Sequence, residues 1–210
     1  MKTYRRYSPV VFSGRPQKTE IRDNWEVVLE YADEGKGPHL VDLSHRTKWD
    51  LQDQNVDQFT PKGVTIPGKP GESKLQDGFL VNRLNRIQAS IWHLSGEAGA
   101  MPVEPNYTDT TESTVFLALL GEKIFSVMEK LTNLDFLNPS LETPFVFQGP
   151  FSHVPCQLVC LGREGEKAGV LFTCSRGYGK DMVDAILHAG HEFGLRPAGE
   201  NRFAGWLNSL

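Results

Sequence analysis

Two short segments carry the side chains of this sequence that are best suited to chemistry. They are residues 41–46, VDLSHR, and residues 194–203, GLRPAGENRF. Each places carboxylates, arginines or a histidine where an apolar element ends, which is where scaffolds usually present groups to a ligand. Because the two segments bracket most of the chain, they predict one folding unit with a site assembled from both ends.

Length, composition and charge limit the class of protein. The 210 residues allow one large domain or two small intertwined lobes. Apolar residues make up 39% and charged residues 23%, as in soluble globular proteins. The net charge of −4 argues against a nucleic-acid partner, which normally requires a basic stripe. The sequence contains neither an apolar run of the roughly 20 residues that span a bilayer nor a signal-peptide pattern. We therefore expect a cytoplasmic protein without a membrane partner.

Cysteines and histidines give no metal or disulfide prediction. Cys156 and Cys160 share a predicted strand but would lie about 13 Å apart, and with Cys174 they make an odd count of three. Buried thiols are therefore predicted. His188 and His191 are three apart on a predicted helix, a spacing that could seat a metal. Since no Glu-x-x-His companion accompanies them, we expect solvated or core histidines.

The first half of the chain is predicted to contain a helix and several strands. Residues 1–20 read as an irregular arm, and the apolar spacing from Ile21 to Ala32 predicts an amphipathic helix that Gly35 and Gly37 end. The remaining predictions are strands at 39–43 and 47–51, a short helix at 53–59, loops at 60–77 and 95–112, and a hairpin with strands 79–84 and 87–94 around Asn85-Arg86.

The second half repeats this plan. The predictions are a strand at 114–120, a helix from Gly121 to Leu131, a short strand at 134–137, a loop at 141–151, a hairpin with strands 154–161 and 169–174, and a helix at 181–193 that Gly194 stops. Interleaved elements without strict alternation predict an α+β domain with antiparallel sheets and covering helices. Two intertwined ferredoxin-like lobes suit the order, roughly 21–112 and 113–210 within a single domain from 21 to 210.

Five patches, in the correct order, resemble the glycine cleavage T-protein (aminomethyltransferase) family. They are residues 40–45, LVDLSH; 76–84, QDGFLVNRL; 116–123, FLALLGEK; 173–179, TCSRGYG; and 189–190 with 194–202, AG and GLRPAGENR. The family counterparts are an Asp-(Leu/Val)-Ser-His segment, a "DDLIV-x-R" strand, an "ALQGP" step, an "R-T-G-Y-T-G" turn and a "GLRPAGLGARD" ending. The chain stops where the family's third, barrel-like domain would begin, and it also resembles the small gamma-type subunits of heteromeric sarcosine oxidases.

The resemblance implies transfer of a methyl or aminomethyl group from a small amine donor to tetrahydrofolate. Asp77 matches the first aspartate of the family's pair and is the implied catalytic carboxylate; a plain turn residue before a strand is the alternative. The resemblance implies that four further residues bind folate: Tyr178, Arg202, Arg83 and Glu200. For Arg202, a solvated arginine or a structural salt bridge is the alternative.

Two departures from the family pattern bear on this reading. Gly78 stands where the second aspartate of the pair would be, and the glutamate that follows "TGYTG" and holds the pterin ring is missing, because Gly179 leads straight into Lys180. Asp181, Glu200 or a partner chain would have to supply it. The sequence therefore leaves two hypotheses: a folate-dependent transferase, acting alone or as a subunit, and a non-catalytic scaffold subunit of a demethylase or oxidase complex.

Overall fold

The structure, a computed structural model, describes residues 4–210. Its strands are β1 Pro16–Arg22, β2 Trp25–Tyr31, β3 His39–Asp42, β4 Lys48–Gln52, β5 Ser73–Gln76, β6 Phe79–Asn85, β7 Gln88–His93, β8 Tyr107–Asp109, β9 Thr114–Leu120, β10 Phe145–Phe151, β11 Val154–Gly162, β12 Gly169–Ser175 and β13 Arg196–Ala198. Its α-helices are α1 Ile124–Met128, α2 Gly179–Gly190 and α3 Glu200–Leu207.

Two sheets form the body of the protein. One has six strands in the order β10-β11-β12-β9-β3-β13, and the other has five in the order β5-β6-β7-β4-β8; β1 and β2 form a separate hairpin. Within the described chain every neighbouring pair is antiparallel except β3 with β13, which run parallel. The predicted α+β class with antiparallel sheets is confirmed. The lobe boundaries, 21–112 and 113–210, stay a prediction. Strand β3, from the first half of the chain, belongs to the same sheet as the strands of the second half.

Strand β9 shows how the layers stack. Val115, Leu117 and Leu119 point into a core that also contains residues of α1 and α2, whereas Phe116 and Leu120 point into a core shared with the five-stranded sheet and α3. Both faces of β9 are buried, so its sequence is a continuous apolar run instead of an alternating one. Helices α1 and α2, the six-stranded sheet and the five-stranded sheet therefore form successive layers.

The helix predicted from Ile21 to Ala32 is wrong. These residues form the second part of the β1–β2 hairpin, with Arg22 paired to Trp25 across the two-residue turn Asp23-Asn24. Both turn residues have positive φ, 46° and 65°, as the tight turns of hairpins require. The buried residues of β2 alternate, because Trp25, Val27 and Leu29 face the protein. Some spacings of apolar residues fit both an alternating strand and one face of a helix. Here the turn residues Asp23-Asn24 indicate the strand.

Several other predictions also differ from the structure. The irregular arm predicted to reach residue 20 ends before Pro16, where β1 begins, and the loops predicted at 60–77, 95–112 and 141–151 contain β5, β8 and β10. The short strand predicted at 134–137 is irregular chain that ends in a turn, and α3 lies in a segment without a predicted element. Two of the missed hairpins turn through Asp77-Gly78 and Ser152-His153, with positive φ at each of the four residues. Asp-Gly is a strong hairpin signal that the sequence prediction did not use.

No helix among residues 4–210 has the length and apolar character needed to cross a membrane.

Candidate functional site

The two polar segments meet at one edge of the six-stranded sheet. Strands β3 and β13 pair in parallel, with His39 opposite Arg196 and Val41 opposite Ala198. Because parallel strands end at the same edge, the residues that follow each strand become neighbours. The loop after β3 carries His45 and Arg46, and α3 begins with Glu200 directly after β13. The predicted convergence of the two chain ends on one place therefore has a structural cause.

Glu200 is the centre of this convergence. Its side chain is buried, and its Oε1 lies 2.9 Å from His45 Nε2 and 2.5 Å from Arg46 Nη2. Its Oε2 accepts a hydrogen bond from Arg22, which comes from the β1–β2 hairpin. Burial by itself would raise the pKa of Glu200, but the hydrogen bond with His45 and the charges of Arg46 and Arg22 outweigh it and lower the pKa to about 2. The carboxylate is therefore ionised and fully engaged.

A second carboxylate holds the start of α3. Glu34 Oε1 accepts hydrogen bonds from the backbone N–H groups of Tyr31 at 3.0 Å and Gly199 at 2.8 Å. Its Oε2 lies 3.5 Å from Arg202 Nε. Gly199 is closely confined, because a Cβ on it would lie 2.2 Å from the backbone oxygen of Leu29. These contacts fix the position at which Glu200 enters the site.

A cavity of about 530 Å³ opens beside Glu200, and we call it the Arg46 cavity. Both polar and apolar side chains line it, the latter in part from α3. Its lining residues are Arg22, Asp23, His45, Arg46, Thr47, His93, Leu94, Ser95, Gly96, Ala98, Ala204, Leu207 and Asn208. The volume lies in the range of small-molecule sites.

Two buried nitrogen atoms of the cavity lining have no hydrogen-bond partner among the described residues. They are Nε of Arg46 and Nε2 of His93. Burial, and then the charge of Arg46, lowers the pKa of His93 to about 4, so that the imidazole is neutral at pH 7. Buried polar groups in folded proteins are nearly always paired, and each exception calls for an explanation such as a ligand.

Lys48 lies on the inner side of the same loop and is fully buried. Its Nζ donates hydrogen bonds to the backbone oxygens of Ser44 at 3.1 Å and Arg46 at 2.9 Å, and it lies over the ring of Phe116. Burial lowers the pKa of Lys48 to about 7, although nearby carboxylates, among them Asp42, oppose this. The lysine ties down the loop that carries His45 and Arg46.

The residues predicted to act on folate do not gather in one place. Asp77 is exposed in the β5–β6 turn, where its carboxylate accepts a hydrogen bond from Gln76 at 3.1 Å. Tyr178 is 45% exposed at the start of α2. Arg202 lines a different cavity, of about 750 Å³, together with Glu34 and Trp206. Among residues 4–210, those that line the Arg46 cavity include neither Asp77 nor Tyr178 nor Arg202.

Arg83 is held by structural contacts. Its Nη1 lies 2.5 Å from the Asp57 carboxylate, and its Nε and Nη2 donate to the backbone oxygens of Asn85 at 2.6 Å and Arg86 at 2.8 Å. All three nitrogen atoms of its guanidinium therefore have partners, two in the β6–β7 turn and one at Asp57. The folate-binding roles of Arg83, Tyr178, Arg202 and Glu200, and the catalytic role of Asp77, stay predictions.

The residues present do not fit the pterin recognition expected of a tetrahydrofolate site. A pterin ring needs a carboxylate that is free to accept from adjacent N–H donors. Glu200 is buried at the sheet edge where the two polar segments meet, but both of its carboxylate oxygens already bind Arg22, His45 or Arg46. Asp77 is exposed in a turn, and its carboxylate accepts a hydrogen bond from Gln76.

Sequence reasoning assigned no role to His93. The available signal was a polar residue at the end of an apolar strand, since His93 closes β7 directly after Trp92. The three cysteines are buried, as predicted. The prediction did not consider that Cys156 and Cys174 lie directly opposite each other on β11 and β12. His188 and His191 are exposed, and among residues 4–210 no cluster of His, Cys, Asp and Glu could hold a metal ion.

Comparison with known proteins identifies the fold. No protein-family model and no curated protein matches the sequence. Among solved structures, the chain is similar to the heterotetrameric sarcosine oxidase from Corynebacterium sp. U-96 in complex with pyrrole 2-carboxylate, with 19% identity and a TM-score of 0.64 over 78% of this chain and 88% of that one. It is also similar to the glycine cleavage system aminomethyltransferase T from Bartonella henselae, with 16% identity and a TM-score of 0.62 over 89% of this chain and 57% of that one. The chain thus spans little more than half of the aminomethyltransferase. It therefore has the α+β fold found both in the glycine cleavage T-protein and in a chain of heterotetrameric sarcosine oxidase, as the sequence resemblance predicted.

Proposed function

We propose that this chain is a non-catalytic subunit of a heteromeric enzyme that demethylates or oxidises a small amine. The observation that carries the proposal is the position of Asp77, the one match to the family's catalytic carboxylate. It is exposed in a two-residue turn with φ of 50°. A carboxylate stabilises a developing positive charge strongly only where water is excluded, because bulk water screens its field. Asp77 therefore serves the hairpin and does not polarise a substrate.

The state of Glu200 supports the same conclusion. It is the buried carboxylate of the site, yet its oxygens are bound by Arg22, His45 and Arg46. A carboxylate with this many cationic partners is a structural anchor, and releasing it to bind a pterin would leave buried positive charges without a counter-charge. Folate chemistry would have to be supplied by another chain.

The size of the structural neighbour favours a subunit. The similarity to a chain of the heterotetrameric sarcosine oxidase covers 78% of this protein and 88% of that chain, so the two are comparable in length. A chain with the same fold and a similar size thus works inside an assembly, and we infer the same arrangement for this protein.

A stand-alone or subunit-borne one-carbon transfer to tetrahydrofolate is the second candidate. The observation in its favour is the Arg46 cavity, which has the volume of a small-molecule site and is lined by His45 and Arg46 and by residues of α3. In that case folate would bind there, and the amine donor would have to approach a carboxylate other than Asp77.

Two measurements separate these candidates. Calorimetric titration of the purified chain with 5-formyl-tetrahydrofolate should give no binding heat at high micromolar protein. Micromolar binding that is lost in Arg46→Ala, with circular dichroism showing folded protein, would overturn the proposal and support the transferase. Affinity purification of the tagged chain from its native host should recover it with a larger chain, and this complex should consume oxygen when sarcosine or another methylated amine is added. Elution of the chain alone would contradict the subunit assignment.

A further inference from the structure

We propose that Cys156 and Cys174 form an oxidisable dithiol, which hydrogen peroxide converts into a disulfide between two neighbouring strands. The two residues lie directly opposite each other, Cys156 in β11 and Cys174 in β12. Both are free thiols, and both side chains point into the core that contains residues of α1 and α2. The inference does not rest on the proposed function, because neither candidate function involves these residues.

Backbone hydrogen bonds show which kind of cross-strand pair the two cysteines make. The N–H of Arg176 donates to the Ser113 oxygen at 2.9 Å, and the N–H of Gly121 donates to the Ala168 oxygen at 2.8 Å. In an antiparallel strand the direction of the backbone hydrogen bonds alternates from residue to residue. Because the register of β9 with β12 is unbroken, the even-numbered residues of β12, Cys174 among them, bond to β9. Toward β11, Cys174 therefore belongs to a non-hydrogen-bonded pair.

A pair of this kind suits a disulfide. Its Cα atoms lie about 4.5 Å apart, and its side chains are closer than those of a hydrogen-bonded pair. Disulfides span Cα separations of about 4.4–6.8 Å. The two thiols are also within hydrogen-bonding reach of each other. The S–S bond can therefore form through rotation of the Cys156 and Cys174 side chains, without a movement of the strands.

The surroundings make Cys174 the first sulfur to react. The Cys156 thiol donates to the Val154 backbone oxygen at 3.3 Å, and it can turn to the Cys174 sulfur instead. That hydrogen bond lowers the pKa of Cys174, although burial opposes it, and the thiolate is the nucleophilic form of cysteine.

The oxidation proceeds in two steps. The Cys174 thiolate attacks one oxygen of hydrogen peroxide and becomes a sulfenic acid, and the other oxygen leaves as hydroxide, which takes up a proton. The Cys156 sulfur then attacks the sulfenic sulfur, so that the S–S bond forms and the S–O bond breaks with release of water. In sum, two thiols and one peroxide give one disulfide and two waters, and two electrons pass from sulfur to the peroxide.

The pair lies closer to solvent than the third cysteine. Cys156 and Cys174 are 5% and 4% exposed, whereas Cys160 is fully buried. Cys156 is two residues from the start of β11, and Cys174 is one residue from the end of β12, where strands open most readily. Cys160 lies opposite Val170, and burial raises its pKa to about 11. Cys160 is therefore an internal control for the reaction.

Thiol mapping of the complete, folded chain tests this inference. The chain is treated with hydrogen peroxide, its remaining thiols are alkylated in urea, and its tryptic peptides are identified by mass spectrometry. We expect a link between Cys156 and Cys174 that forms at least about tenfold faster than Cys160 is modified and that dithiothreitol reverses. A link that includes Cys160, equal rates for the three cysteines, or the absence of any link would overturn the inference.

Variants confirm which sulfur atoms are joined. Cys156 and Cys160 share one tryptic peptide, residues 131–163, so fragment ions must tell them apart in the wild type. Cys160→Ser, the matched control, should keep the link, and Cys174→Ser should lose it. The opposite pattern in variants that circular dichroism shows to be folded would contradict the assignment. The wild-type mapping needs no substitution, so it still decides the question if a variant does not fold.

Unfolding shows whether the disulfide fits the native strands. The oxidised wild type should unfold at a higher urea concentration than the reduced protein, because the bond restricts the unfolded chain. Peroxide should not raise the urea midpoint of Cys174→Ser. An oxidised wild type that is no more stable than the reduced one would contradict a bond formed without movement of β11 and β12. Failure here would leave the subunit proposal standing, because co-purification tests that proposal separately.

Discussion

His45 and Glu200 form a buried pair although 155 residues separate them, with His45 Nε2 2.9 Å from Glu200 Oε1. The parallel pairing of β3 and β13 is what brings them together, because each residue follows the end of its strand. Arg46 and Arg22 complete the cluster. A loop, a C-terminal helix and the β1–β2 hairpin are thus held by one carboxylate.

Replacement of Glu200 with Gln should lower the free energy of unfolding by about 2–4 kcal/mol, because it leaves the buried Arg46 guanidinium without a counter-charge. Urea unfolding followed by circular dichroism measures the change. Glu192→Gln is the control: Glu192 is exposed and pairs with Lys130 at the surface, so its loss should cost at most about 1 kcal/mol. Equal effects of the two variants would show that Glu200 does not anchor the cluster.

Acid should destabilise the protein in two steps. The pKa of His93 is lowered to about 4 from an ordinary 6.5, so the unfolded chain binds more protons between these values and stability falls as the pH drops through this range. The pKa of Glu200 is lowered to about 2 from 4.5, which extends the loss below pH 4.5. Urea midpoints measured from pH 7 to 3 should show both steps, and His93→Phe should remove the upper one. A stability that does not change between pH 6.5 and 4.5 would contradict the assignment to His93.

Mild alkali should stabilise the protein through Lys48. Its folded pKa of about 7 lies below the ordinary 10.5, so the folded protein binds fewer protons in this range and the free energy of unfolding rises with pH, by at most about 1.4 kcal/mol per pH unit. Unfolding measured between pH 7 and 9.5 should show the rise, and Lys48→Met should abolish it. The same slope in wild type and Lys48→Met would show that another group causes it.

Asp77 should tolerate glycine but not valine. Its φ of 50° is in the left-handed region, which glycine adopts without strain and a β-branched residue does not. Asp77→Gly should leave stability within about 0.5 kcal/mol of the wild type, whereas Asp77→Val should cost about 1–2 kcal/mol. Thermal unfolding distinguishes the two variants. A large loss of stability in Asp77→Gly would mean that the carboxylate itself, and not the turn geometry, is required.

Gly199→Ala should destabilise the protein by about 1–3 kcal/mol, because the new Cβ would lie 2.2 Å from the Leu29 backbone oxygen and would force the start of α3 away from β2. Gly205→Ala, on the same helix and with open space around its Cβ position, should instead gain about 0.5–1 kcal/mol. Chemical unfolding of both variants measures the contrast. Similar behaviour of the two would show that α3 does not depend on this close approach.

Several strands could be predicted from the sequence because their apolar content leaves little choice. The predicted segments 114–120, 154–161 and 169–174 differ by at most one residue at either end from β9, β11 and β12. The helix predicted from Ile21 failed because its apolar spacing also fits an alternating strand. The information that decides for the strand lies in Asp23-Asn24, two residues that adopt positive φ.

The sequence by itself determined the α+β class, the long buried strands and the two polar segments from which the site is built. Only the tertiary structure decided which carboxylate lies in the site, since Asp77 and Glu200 are both acidic residues beside a strand. One is exposed in a turn, and the other is buried against Arg22, His45 and Arg46 with its pKa lowered to about 2. The difference arises from the pairing of β3 with β13, two short strands far apart in the chain. Local patterns do not encode such a contact, yet burial and the charges around a group set its chemistry.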